Sequence, residues 1–120
     1  MTSSPADIPP KSITAEQLWD RLREGDILQL VDVREDGELS LARLPYPLIH
    51  FPLSRSSEWL PEVPVRLRRE LPVVVICHAG VRSWQFACWL QQMEGYPDVW
   101  NLEGGMEAWS VRVDPSIPRY

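Results

Sequence analysis

Pro72-Val73-Val74-Val75-Ile76-Cys77-His78-Ala79-Gly80-Val81-Arg82-Ser83 is the stretch on which the fold turns. A proline opens four consecutive β-branched residues, an apolar run of the kind that lies buried on both faces of a parallel sheet. The run stops at Cys77. A loop containing Gly80 follows, and from Ser83 to Met93 the apolar residues Phe86, Ala87, Leu90 and Met93 recur at helical spacing, with Gly95 as a stop beyond them. Strand, tight loop and helix form the repeating unit of sheets covered by helices.

Reading outward in both directions finds the same alternation. Upstream, Thr14-Ala15-Glu16-Gln17 has the form of a capping box, which predicts a helix with Leu18, Trp19 and Leu22 on its apolar side and Gly25 at its end. Ile27 to Val33 is a second buried strand, ending at Asp32-Val33-Arg34. Glu35 to Ala42 supports one or two helical turns, and Pro45, Pro47 and Pro52 restrict Leu48-Ile49-His50-Phe51 to a short edge strand. Between Leu60 and Leu71, Pro61, Pro64 and the basic run Arg66 to Arg69 predict a short surface helix. Downstream come a strand at Val99 to Leu102, a turn at Gly104-Gly105 and a last helical turn at Met106 to Trp109. The expected fold class is α/β, three layers with a mainly parallel central sheet and helices on both faces.

Size and charge narrow the function. At 120 residues the chain fits one domain, expected over residues 12–120 behind a flexible Ser/Pro-rich leader at 1–11. Its formal net charge of −5 argues against nucleic acid and anionic membrane as partners, both of which select basic surfaces. The longest apolar stretch, Val73 to Cys77, falls far short of the roughly 20 residues that span a bilayer. The leader carries Asp7 and no apolar run, unlike a signal peptide, so the expected location is cytoplasmic. Two cysteines, Cys77 and Cys88, suit a reducing compartment.

The chemistry gathers at Cys77. Where a buried strand gives way to a helix, backbone N–H groups converge without partners and the helix dipole adds positive potential, so a cysteine there has its thiolate stabilised. Gly80 lets the backbone turn an N–H inward, His78 and Arg82 add positive charge locally, and Ser83 is a suitable cap for the helix. Cys77 reads as a reactive thiolate rather than a core cysteine. Cys88, in mid-helix among Phe86, Ala87 and Trp89, reads as a packing residue.

These residues resemble a known family. Cys77-His78-Ala79-Gly80-Val81-Arg82-Ser83 looks like the active-site loop of single-domain rhodaneses, the thiosulfate sulfurtransferase family, whose pattern is CxxGxRS. Leu30 to Glu35 is similar to that family's LVDVRE segment, His50 to Ser54 to its HxPLS segment, and Asn101 to Gly105 with Ala108-Trp109 to its NLxGGxxAW signature. The likeness runs from about Ile13 to Tyr120. Two stretches depart from it. Leu41 to Pro47 stands where the family usually carries GHIxGA, and Leu90 to Gly95 is one residue longer than usual.

The resemblance implies a rhodanese-like fold and a sulfurtransferase. Cys77 would take a sulfane sulfur from a small anionic donor such as thiosulfate, hold it as a persulfide, and pass it to cyanide, a thiol or a protein acceptor. No metal or organic cofactor is implied. His78, Ala79, Gly80, Val81, Arg82 and Ser83 would line the persulfide loop, with Asp32 and Arg34 as structural supports. Arg82 has two readings of equal standing: attraction of the donor, or an ion pair with Asp32 or Glu35 that holds the loop. A phosphatase of the same fold is disfavoured, because phosphatases of that type place five residues between Cys and Arg where His78 to Val81 supplies four. A non-enzymatic sulfur carrier or binding module is the rival from another class, with six tryptophans as material for an interface.

Overall fold

A computed structural model of the chain describes residues 8–120. Residues 1–7, most of the expected leader, lie outside the described residues. Five strands make one parallel sheet in the order β1-β5-β4-β2-β3: β1 at Lys11–Ile13, β2 at Gln29–Asp32, β3 at Ile49–His50, β4 at Val73–Ile76 and β5 at Val99–Leu102. The α/β class expected from the sequence is the one found. β2 and β4 are buried at every position: β4 is a continuous apolar run, whereas β2 buries Gln29 and Asp32 beside Leu30 and Val31, the two polar side chains held by hydrogen bonds. β3 pairs on one side only, with β2, which fits a segment hemmed by prolines.

Alternate residues of the strands feed two cores. Val31, Val73, Val75, Cys77 and Val99 point to one face, where they meet Phe51, Trp59, Val63, Phe86, Leu90 and Tyr96. Leu30, Val74, Ile76 and Leu102 point to the other, against Ala15, Leu18, Met106 and Trp109. The first face is covered by α3 (Ser56–Trp59), α4 (Val63–Arg66) and α5 (Val81–Gln92), the second by α1 (Ala15–Arg23) and α6 (Gly105–Arg112). The sixth helix, α2 (Asp36–Leu41), buries none of its residues and hangs at the carboxyl end of β2.

Local expectations are met where a specific side chain enforces them. The Thr14 hydroxyl accepts from the Gln17 N–H at 3.1 Å while the Gln17 side chain accepts from the Thr14 N–H at 3.0 Å, so the capping box starts α1. The short helix expected between Leu60 and Leu71 forms over Val63–Arg66 with Pro64 in its first turn, and Val63 and Leu67 anchor it in the core. Met93, expected on the buried side of α5, is exposed, since it lies past the last helical residue. The stretch that departs from the family pattern packs Ala42 and Leu44 into the second core.

Candidate active site

β4 delivers Cys77 to its carboxyl end with 1% of the residue exposed. The chain then turns through His78 and Ala79 into Gly80, whose φ of 101° lies in the left-handed region, and α5 begins at the next residue. That turn aims the Gly80 N–H back at the Cys77 Sγ, 3.0 Å away. Ser83, expected as the cap, sits inside the helix instead. Gly80 takes the cap position, and the fully buried Ser83 brings its hydroxyl to 3.1 Å from Sγ and 2.5 Å from the Asn101 Oδ1. Sγ therefore faces one backbone donor, the Ser83 hydroxyl, whose single proton it shares with the Asn101 Oδ1, and the N-terminal turn of a twelve-residue helix, whose leading N–H groups have no intrahelical acceptor.

A second helix holds the loop from behind. The N–H groups of Met106 and Glu107, at the start of α6, donate to the Cys77 carbonyl at 2.9 Å and the His78 carbonyl at 3.0 Å. Gly105 makes this approach possible: a Cβ there would press on both carbonyl oxygens, 2.6 Å from that of His78. With its carbonyls turned toward α6, the loop presents its N–H side to the sulfur. Asn101, on β5, closes the arrangement by donating from Nδ2 to the Gly80 carbonyl at 3.2 Å. The composition and periodicity of the chain did not single out Asn101; the NLxGG segment that contains it was the available signal.

The arginines differ from expectation. Arg82 pairs with neither Asp32 nor Glu35: its Nη1 and Nη2 grip the two oxygens of Glu38 at 2.7 and 2.8 Å. One helical turn of α2 puts Glu38 in that place. Its carboxylate also accepts from the Glu35 N–H at 3.2 Å and from the Tyr120 hydroxyl at 2.9 Å, and these bonds, Arg82 foremost, lower its pKa to about 2. Arg34 and Asp32 are both fully buried and pair with each other, Nη2 to Oδ2 at 2.8 Å. Burial opposes the charge on Arg34, and its contacts with Asp32 and Tyr120 more than offset that.

Each arginine beside the loop thus carries its own carboxylate, so the positive surroundings expected for Cys77 come from aligned backbone N–H groups and not from free side-chain charge. His78 packs against Tyr120 with ring centroids 4.3 Å apart and the planes tilted by 55°, and its Nδ1 is buried without a hydrogen-bond partner among the described residues. Cys88 is half-buried on α5, and burial pushes its thiol up, away from reactivity. Of the tryptophans, Trp59 and Trp109 are core residues, while Trp19 and Trp84 are partly exposed. Among the described residues no helix is long and apolar enough to cross a membrane.

Comparison with known proteins places the arrangement. The chain is 41% identical over 115 residues to the rhodanese-like/PpiC domain-containing protein 12, chloroplastic, of Arabidopsis thaliana, covering 93% of this chain and 38% of that longer protein. It is 34% identical over 98 residues to a sulfurtransferase of Allochromatium vinosum, covering 82% of this chain and 86% of that one. Among solved structures, the rhodanese-like domain protein of Staphylococcus aureus superposes with a TM-score of 0.68 at 29% identity over 92% of this chain and 98% of that one. The family model described as a rhodanese-like domain matches residues 14–112, which contain Cys77 and every strand but β1, and the chain accordingly belongs to the rhodanese-like domain family, which includes sulfurtransferases.

Proposed function

We propose that this protein is a sulfurtransferase that carries a sulfane sulfur on Cys77, with thiosulfate or a similar small anion as donor. One observation carries the reading: Sγ lies at the mouth of a strand-to-helix loop within reach of the Gly80 N–H and the Ser83 hydroxyl. In the first step the Cys77 thiolate attacks the outer sulfur of the donor. A sulfur–sulfur bond to Cys77 forms, the donor's own sulfur–sulfur bond breaks, and its electron pair leaves with sulfite. In the second step cyanide, a thiolate or a protein thiolate attacks the outer sulfur of the persulfide, and the pair returns to Cys77. Charge is conserved in both steps, so the site needs donors for an anion more than it needs a general base.

The loop supplies them. Gly80 and Ser83 steady the sulfur, while His78, Ala79, Val81 and Arg82 complete the wall around it. Asp32 and Arg34 fix the end of β2 beneath it. Arg82, clasped by Glu38, serves in this proposal as the anchor of the loop. The domain acting is residues 12–120, and the cytoplasmic location expected from the sequence stands as a proposal beside a plant relative whose name places it in the chloroplast.

Intact-mass spectrometry after incubation with thiosulfate tests the proposal. The wild type is expected to gain the mass of one sulfur atom and to lose it on addition of cyanide or a thiol. Absence of the gain, or the same gain in Cys77→Ser, overturns it. Loading that no acceptor can discharge would instead leave a sulfur-binding module.

A further inference from the structure

Beyond α6 the chain folds back over the front of the Cys77 loop. Ile117 packs against the second core, Arg119 forms an ion pair with Glu107 on α6, and Tyr120 lands on the loop itself. The Tyr120 hydroxyl accepts from Arg34 Nη1 at 2.9 Å and donates to Glu38 Oε2 at 2.9 Å, the same oxygen that accepts from Arg82 Nη2. Its ring covers His78, the neighbour of Cys77. One side chain therefore touches the end of β2, the helix α2 and the loop at once.

We infer that Tyr120 is a positioning residue of the sulfur-transfer site: its hydroxyl registers the Glu38–Arg82 clasp against the buried Arg34, and its ring keeps His78 in place beside Cys77. The inference rests on the proposed function. The physical case lies in what else could set the loop. α2 contributes no residue to either core, so Glu38, its side chain four-fifths buried, is placed by its hydrogen bonds. Arg34 is rigid, held by Asp32 through Nε and Nη2, and the Tyr120 hydroxyl joins that rigid group to Glu38. Without it, Glu38 and Arg82 remain paired but are free to shift together on the surface. The direct tie from Arg34 to α2 is a long one, 3.4 Å from Nη1 to the Glu38 carbonyl.

The test uses the full chain in a Cys88→Ser background, so that Cys77 is the only thiol. Tyr120→Phe keeps the ring and deletes the hydroxyl; Tyr120→Ala deletes both. Two rates are read: sulfur loading from thiosulfate, by mass, and alkylation of Cys77 by iodoacetamide. Tyr120→Phe is expected to slow loading roughly threefold to tenfold, the range one hydrogen bond accounts for, and Tyr120→Ala to slow it further. Alkylation should move the opposite way and speed up in Tyr120→Ala, because the loop that hides the thiol is loosened. A merely structural role would lower the melting temperature of both variants and restore loading in the folded fraction at lower temperature, which overturns the inference, as do wild-type loading rates in both. If the wild type itself fails to load, the sulfurtransferase reading falls and the role of Tyr120 in sulfur transfer falls with it, whereas a wild type that loads while Tyr120→Phe and Tyr120→Ala load equally fast overturns the inference alone.

Discussion

Arg34 carries a full charge with none of its surface exposed, and Asp32 beside it is as deeply buried. Such a pair is held for position more than for stability, since two ions taken from water regain their lost hydration only through near-ideal contacts. Here the contacts are close to that. Nε lies within 3.1 Å of both Asp32 oxygens, Nη2 donates to Oδ2, and the Arg34 N–H donates to Oδ1 at 3.0 Å, which ties side chain and backbone to one carboxylate. Lysine cannot reproduce a planar fork with acceptors on three sides. Arg34→Lys should therefore cost about 3 kcal/mol in urea-induced unfolding, the lower range for breaking a buried pair. A loss below about 1 kcal/mol would mean that water or a shifted ammonium satisfies Asp32, and that the pair is not the fixed base on which Tyr120 and Glu38 rest. The sequence marked Asp32 and Arg34 as supports. That they support by pairing with each other was not legible, because an i,i+2 contact depends on the chain bending sharply after β2.

At the scale of elements, the N-terminus of α6 plugs into the carbonyls of the Cys77 loop. Gly105 has a φ of 56° and stands where any Cβ would collide with backbone that cannot move without moving Cys77. Gly105→Ala should then cost more than about 2 kcal/mol, combining left-handed strain with overpacking, and lower the melting temperature by roughly 10 °C for a domain of this size. A differential scanning measurement within 3 °C of wild type, on the order of half a kcal/mol, would show that α6 can back away from the loop at little cost. Sequence periodicity disclosed β4 by its unbroken apolar run, α1 by its capping box and α5 by its helical apolar spacing, and it placed β2 and β5 within short segments rich in apolar residues. It missed β1, where three residues bury only Ile13 and pair with β5 alone. It also ended α6 too early: the helix runs on to Arg112 with Ser110 buried, though serine, valine and arginine give no apolar rhythm there. The candidate site followed the same division. Cys77 and Gly80 were legible in one loop, whereas Glu38, Asn101 and Tyr120 come from three other parts of the chain and reach Arg82, Ser83 with Gly80, and His78 respectively only in the folded molecule.

For the molecule as a whole, the net charge of −5 says little about acid stability, because exposed carboxylates are screened and their ion pairs contribute little. Asp36, Glu70 and Glu107 all have lowered pKa values from arginine contacts or backbone hydrogen bonds, yet Asp36 and Glu70 are exposed and the Glu107 side chain is a third exposed. Glu38 differs in kind. It is four-fifths buried on its side chain and holds four hydrogen bonds as an anion, with a pKa of about 2 against an ordinary value of 4.5. A carboxylate lowered on folding contributes stability that is complete above about pH 4.5, where both states are ionised, and is lost as the pH falls toward 2 and the folded state too takes up the proton. Allowing for an Arg82 partner that is a third exposed, the contribution lost between pH 7 and pH 3 should be roughly 1–2 kcal/mol. Denaturant unfolding of wild type and Glu38→Gln at the two pH values isolates it, since every other carboxylate is common to both. The variant should be less stable at pH 7 and should lose less between pH 7 and pH 3; equal losses in the two proteins would place the acid sensitivity elsewhere. The outcome also bears on the site. Glu38→Gln no longer offers Arg82 an anion, so its sulfur loading at pH 7 should be slower than that of the wild type, and an equal rate would show that the clasp steadies the fold without steadying Cys77.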